Sequence, residues 1–303
     1  MFRTGRPQSI DLPLQRQTHF LMCQPHHFGV KYSINPWMDP DAWAAKACYF
    51  TGAADLQWQT LYELLVARGV KVEIIRPVPD LPDLVFTANA AVILDRKALL
   101  TRFRHRERRP EEPVFARALR KLKLQGALDL VADLPKSLVL EGAGDCIWDK
   151  KRSHFWLGFG PRSDLASQHV VTDFFGVGCV PLELADPRFY HLDTAFCPLP
   201  NGEIIYYPDA FTSAARRAIN EWVPRTEQII LSENDAMELA ANSVSFGQHI
   251  LLSSCSQKLR SQLDERHYTV VATPLHAFLR SGGSACCLTL RIDHSIEPAL
   301  AAT

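Results

Sequence analysis

The chain has 303 residues, long for one domain yet within reach of a single large α/β unit. Its 47% hydrophobic and 22% charged residues exclude a disordered chain, and 33 basic against 33 acidic residues leave no global field for nucleic acid. Eight cysteines without one Cys-x-x-Cys pair argue against a zinc ribbon or a disulfide framework, and the sequence reads as that of a cytoplasmic protein in a reducing compartment. No apolar run opens the chain as a signal peptide would, and none is long enough to span a bilayer, so neither membrane nor nucleic acid is an expected partner.

Residues 1–18 are polar, contain two prolines and read as a leader; 19–303 read as one domain. An apolar strand starts at His19–Met22 and breaks at Gln24-Pro25. The segment 26–38 mixes aromatics with turn formers, which suits either a packed loop or a lid. Asp39, Pro40 and Asp41 signal a helix start, and Leu56, Leu61, Leu64 and Leu65 repeat at helical spacing over Asp55–Arg68 before Gly69. Val70–Arg76 reads as a strand. Asp83–Leu94 is a long apolar run with Asn89 in its middle, where a buried amide without partners would cost about 1–3 kcal/mol. Pro113–Leu124 is an amphipathic helix with Glu111 and Glu112 at its positive end.

The same grammar then returns. Ser137–Trp148 contains Leu140-Glu141-Gly142-Ala143-Gly144-Asp145 and leads to the strand Phe155–Phe159 and the helix Ser163–Phe175. Arg188–Pro198 contains His191-Leu192-Asp193 and leads to the strand Glu203–Tyr207 and the helix Thr212–Trp222. Glu238–Ser254, with Asn242, leads to the helix Ser256–Arg266; the last unit is Ser281-Gly282-Gly283-Ser284-Ala285-Cys286-Cys287-Leu288-Thr289, running into an apolar strand. The polar corners Asn89, Asp145, Asp193, Asn242 and Cys287 lie about 45 to 56 residues apart, a period that indicates internal repeats. Repeats that close on themselves would gather these corners at one axis.

If Glu141, His191, Asp193 and Cys287 meet there, a thiolate beside an imidazole is an activated nucleophile, and the imidazole can protonate a leaving group and then activate water. Two carboxylates beside that cysteine suit a planar cation with several N–H donors, such as a guanidinium. Each residue also has a plainer reading: two buried thiols after a Gly turn, a core histidine, a loop glutamate and surface arginines at 108 and 162. On strand alternation Cys286 faces away from Cys287.

Asp-Leu-Val-Phe-Thr-Ala-Asn-Ala, Leu-Glu-Gly-Ala-Gly-Asp, His-Leu-Asp-Thr-Ala-Phe-Cys-Pro-Leu and Gly-Gly-Ser-Ala-Cys-Cys-Leu-Thr, in this order, resemble the pentein superfamily of guanidino-modifying enzymes over roughly residues 19–293. The segment Ile34-Asn35-Pro36-Trp37-Met38 and the asparagine at 89 are most similar to its arginine dihydrolase branch. The resemblance implies a five-bladed α/β propeller of ββαβ repeats, with Cys287 as nucleophile, His191 as acid–base and Glu141 as its catalytic carboxylate. It implies Asp193 as a guanidinium partner and Arg108 and Arg162 on a substrate α-carboxylate; Asn89, Asn35, Asp145 and Gly283 complete the expected substrate contacts. No metal or organic cofactor is implied, the partner is a small arginine-like molecule, and a homo-oligomer is allowed. The implied reaction is hydrolysis of arginine to ornithine, ammonia and carbon dioxide; the alternatives are a dimethylargininase or arginine deiminase giving citrulline, an amidinotransferase, or a non-catalytic binder. His105 and Arg106 stand where that branch has Tyr and Pro, Ser284 replaces a third glycine, and Pro161 precedes Arg162 in place of an apolar residue.

Overall fold

A computed structural model describes residues 17–296, so the expected leader lies outside the described residues but for its last two positions. Among the described residues, fifteen strands form five three-stranded sheets. In four of them an inner strand turns through a tight hairpin into an antiparallel middle strand, and a helix then returns the chain to an outer strand parallel to the middle one. These blades are β3 (Ala91–Leu94), β4 (Lys97–Leu100) and β5 (Leu130–Ala132); β6 (Cys146–Asp149), β7 (His154–Phe159) and β8 (Gly178–Glu183); β9 (Phe196–Pro198), β10 (Ile204–Tyr206) and β11 (Gln228–Ile230); and β12 (Val244–Phe246), β13 (His249–Leu252) and β14 (Thr269–Ala272). The fifth blade is made from both ends of the fold. β1 (His19–Cys23) pairs in parallel with β2 (Lys71–Ile75) and antiparallel with β15 (Leu290–Arg291), the last strand among the described residues. The result is a five-bladed α/β propeller.

Helices form where the apolar spacing predicts, with shifted ends. Asp39 caps Pro40–Ala44 by accepting from the Ala42 amide. The next helix runs Ala47–Val66, well before Asp55, and Leu56 is exposed; its buried face is Phe50, Ala54, Trp58, Leu61 and Leu65. The run Asp83–Leu94 is two 3₁₀ turns, Pro82–Val85 and Thr87–Ala90, before it becomes β3. The expected strand after Cys287 is only the two residues of β15, because 284–289 coil into a turn in which the Leu288 amide donates to the Ser284 carbonyl.

Inner strands from all blades surround one channel. Its wider mouth is lined by Ile147, Phe196, Cys197, Ser245, Cys286 and Arg291, among others. At the opposite end lie the turns that precede the inner strands, and these carry the polar corners.

Candidate active site

The corner turns bring their side chains together as the repeat spacing predicts. Asn242 is the hub. Its Oδ1 accepts from the Ser284 amide at 3.0 Å and the Cys287 amide at 3.1 Å, while its Nδ2 donates to the Asp193 carbonyl and to the Cys287 sulfur at 3.0 Å. One fully buried amide therefore fixes the cysteine turn against the neighbouring blade. The Cys287 thiol donates to Asp193 Oδ2 at 3.2 Å. The other carboxylate oxygen of Asp193, also buried, has no hydrogen-bond partner among the described residues.

His191 and Glu141 form the second half of the site. Glu141 Oε2 lies 2.7 Å from His191 Nε2 and accepts from Arg162 Nη1 at 3.0 Å, and Oε1 accepts from the Arg104 amide. His191 is paired with Glu141 and not with the thiol, which differs from the thiolate–imidazole contact expected from the motifs. Burial explains the difference. It pushes the Cys287 thiol well above its ordinary value, and the Asp193 carboxylate pushes it further, so the thiol keeps its proton and donates it to Asp193. Burial likewise lowers the His191 imidazole to about 4. Burial alone would raise Glu141, but Arg162, His191 and Arg108 together hold its carboxyl well below the usual range. Asp193 is pushed by burial up to about 7, against the bonds from Cys287 and Asn242.

A pocket enclosing about 240 Å³ of empty space, part of it open to solvent, is lined by Asn35, Asp83, Asn89, Arg108, Arg162 and Cys287, with Phe86 and Tyr190 as walls. The two arginines are buried and not on a solvated face. Arg162 also donates to the Ile34 carbonyl and stacks over Tyr190, 4.6 Å from the ring centre. Arg108 is gripped by Glu111 and donates to Asn89 Oδ1 at 2.8 Å. Asn35 ties the 26–38 segment to the cysteine turn by donating to the Ser281 carbonyl.

Two expected contacts sit elsewhere. Asp145 is turned into the protein, accepting from the Ser163 hydroxyl at 2.6 Å and the Leu192 amide at 3.0 Å, so it holds the Glu141 and His191 turns together. Gly283 makes room for Phe86 and not for a ligand: a Cβ there would lie 2.4 Å from the Phe86 ring. Cys286 lines the far mouth of the channel and Cys287 the pocket, yet both thiols stand close to the Asp193 carboxylate, because 284–289 form a turn and not an alternating strand.

Sequence reasoning missed Asp83, Glu111 and the hub role of Asn242. Asp83 is buried and accepts from Tyr32 Oη at 2.8 Å and Ser281 Oγ at 3.2 Å. The argument that singled out Asn89, a polar group in an apolar run, applies equally to Asp83. The sequence places Glu111 only at the positive end of a helix; its side chain is fully buried against Arg108. Its signal was the spacing Arg108–Glu111, one helical turn.

The profile of the family described as N,N dimethylarginine dimethylhydrolase, eukaryotic, matches residues 41–293. The chain is 40% identical over 278 residues to the bifunctional arginine dihydrolase/ornithine cyclodeaminase AgrE of Nostoc sp., covering 92% of this chain and 38% of that protein. It thus spans about two fifths of the length of that relative. It is 33% identical over 277 residues to the N(G),N(G)-dimethylarginine dimethylaminohydrolase of Mycobacterium tuberculosis, covering 91% of this chain and 86% of that one. The crystal structure of the N-terminal domain of ArgZ, an arginine dihydrolase from cyanobacteria bound to its substrate, superposes with a TM-score of 0.86 at 37% identity, covering 93% of this chain and 100% of that one. With a buried cysteine bonded to one carboxylate, a His–Glu pair bonded to a pocket arginine, this propeller and these matches, the chain belongs to the dimethylarginine dimethylhydrolase family.

Proposed function

We propose that this chain hydrolyses the guanidinium group of arginine through a covalent adduct on Cys287, in the dihydrolase manner that yields ornithine, ammonia and carbon dioxide. The observation that carries this reading is a pocket lined by Cys287, Arg108 and Arg162, behind which the Cys287 thiol is bonded to Asp193 and Arg162 is bonded to the Glu141–His191 pair.

A guanidinium bound against Asp193 and Glu141 brings positive charge beside a thiol whose ionisation burial and Asp193 oppose. That charge favours the thiolate, so the nucleophile is activated when substrate arrives. Sulfur then attacks the guanidinium carbon. The thiol proton passes through Asp193 or His191 to the departing nitrogen, which leaves as ammonia, and a thiouronium adduct remains. Water, deprotonated by His191 with Glu141 behind it, adds to that carbon and expels the sulfur, giving a ureido group. A second attack on the retained ureido carbon expels another ammonia, and hydrolysis of the resulting S-carbamoyl adduct leaves a carbamate that decays to the amine and carbon dioxide. Arg108 and Arg162 suit the α-carboxylate and Asp83 the α-ammonium.

A second reading is favoured by the family match itself: dimethylarginine as substrate, with dimethylamine and citrulline as products. Product analysis with arginine, dimethylarginine, and arginine plus glycine decides between them. Ornithine with two ammonia per arginine supports the dihydrolase; citrulline alone makes the chain a deiminase or dimethylargininase; amidino transfer to glycine makes it an amidinotransferase.

A further inference from the structure

We propose that Glu111 is a positioning residue that, through Arg108, fixes the amide of Asn89 so that its N–H serves a neutral ureido oxygen in preference to a guanidinium. The proposal rests on the dihydrolase reading above and adds a residue that touches no substrate.

The orientation of Asn89 follows from chemistry. A guanidinium can only donate and a carbonyl oxygen can only accept. Arg108 Nη1 lies 2.8 Å from Asn89 Oδ1, and Asn89 Nδ2 lies 3.1 Å from the Glu141 carbonyl oxygen. With the amide turned over, both contacts would fail at once. The turn around Gly142 and Gly144 closes over the same amide, for a Cβ on Gly144 would lie 2.2 Å from Nδ2. Of the two N–H bonds on Nδ2, one goes to Glu141, which leaves the other for the pocket that Asn89 lines.

The acceptor end is closed to a second cation. A substrate guanidinium at Oδ1 would share that oxygen with the Arg108 guanidinium, two like charges in a buried site. A ureido oxygen carries no charge and needs a donor. Asn89 therefore discriminates in favour of the intermediate that must be kept for a second round.

Glu111 makes this arrangement hold. It accepts from Arg108 Nε at 3.2 Å and from Nη2 at 2.8 Å, and both side chains are buried. Phe103 stacks on the guanidinium, 4.3 Å from its carbon. The bidentate grip sets the guanidinium plane, and that plane aims Nη1 at Asn89.

The test measures binding of citrulline and of arginine to the Cys287→Ser protein, with and without Glu111→Gln. Both ligands carry the same α-carboxylate and α-ammonium, so the ratio of their dissociation constants reads only the reacting end. Glu111→Gln should weaken citrulline about 3- to 10-fold more than arginine, the effect of one neutral hydrogen bond. Equal weakening of both overturns the proposal and leaves Glu111 a merely structural residue. If Glu111→Gln gives no cooperative unfolding transition, Arg108→Lys is read in its place: lysine keeps a charge beside Glu111 without the planar fork that reaches Asn89, and the same unequal loss is expected. In the active protein the ornithine-to-citrulline ratio should fall with the binding ratio. A wild type that yields citrulline alone overturns the dihydrolase reading, while the binding ratio still decides the role of Glu111.

Discussion

At the scale of single residues, the state of the Cys287 thiol has consequences that can be measured. Burial and Asp193 raise it well above its ordinary value, and the imidazole that would stabilise a thiolate is held by Glu141. Without substrate, alkylation of Cys287 by iodoacetamide should therefore be slow at pH 7 to 8 and still rising above pH 9. A rate that levels off near neutrality would show a pre-formed thiolate and sink the substrate-activated scheme. The residues legible in the sequence were those whose motif is short and local: Cys287, His191, Glu141 and Asp193 each sit in a turn beside glycines or the next blade's inner strand. Asp83 was hidden because its partners come from distant segments; it meets Ser281 across 198 positions. Spacing along the chain says nothing about such a pair until the ring has closed.

Among the elements, the turn Gly142–Gly144 has the narrowest tolerance. Gly142 has φ +62°, and a Cβ there would meet the Asn89 backbone at 2.6 Å, so neither the dihedral nor the space suits a side chain. Gly176 has φ +74° with nothing within 4 Å of its Cβ position, and so isolates the dihedral contribution. Gly176→Ala should cost about 1–2 kcal/mol in denaturant unfolding. Gly142→Ala should cost about 1–3 kcal/mol more, from overpacking, and should also lower turnover by moving Asn89. Equal losses in the two variants would mean that Asn89 yields freely. Element existence was legible here from periodicity, since four blades repeat one pattern. Element type was not legible at the corners: the apolar run 83–94 carries no helical or alternating period, and tight 3₁₀ turns bury every side chain as completely as a covered strand does.

For the molecule as a whole, acid stability follows from its buried imidazoles. Burial lowers His154 and His191 to about 4 and His294 to about 3. Between those values and 6.5 the unfolded chain binds protons that the folded chain does not, so their contribution to stability is lost as pH falls through 6.5. Asp193 and Glu111, raised by burial to about 7, work the other way and favour the fold towards acid. His154 is the separable member. It stands between Trp156 and Trp222, with ring centres 4.6 and 4.5 Å away and neither ring nitrogen hydrogen-bonded among the described residues. His154→Phe should therefore narrow the gap between the melting temperatures at pH 7 and pH 5, with turnover unchanged. An unaltered gap would remove His154 from the account.

The blade shared between β1 and β15 has one more consequence, for the order in which the fold is completed. The His19 amide and the Asp293 carboxylate that flank this pairing are 274 positions apart, so closing the ring carries a chain-entropy cost of roughly 5 kcal/mol before any contact is gained. β15 follows every other strand among the described residues, and Cys287 lies just ahead of it. Until that strand docks, Asn242 has no Ser284 or Cys287 amide to hold, and β1 waits with one edge uncovered. Glu141, His191 and Asp193 thus precede Cys287 along the chain, and the pocket is completed in the same event that closes the ring.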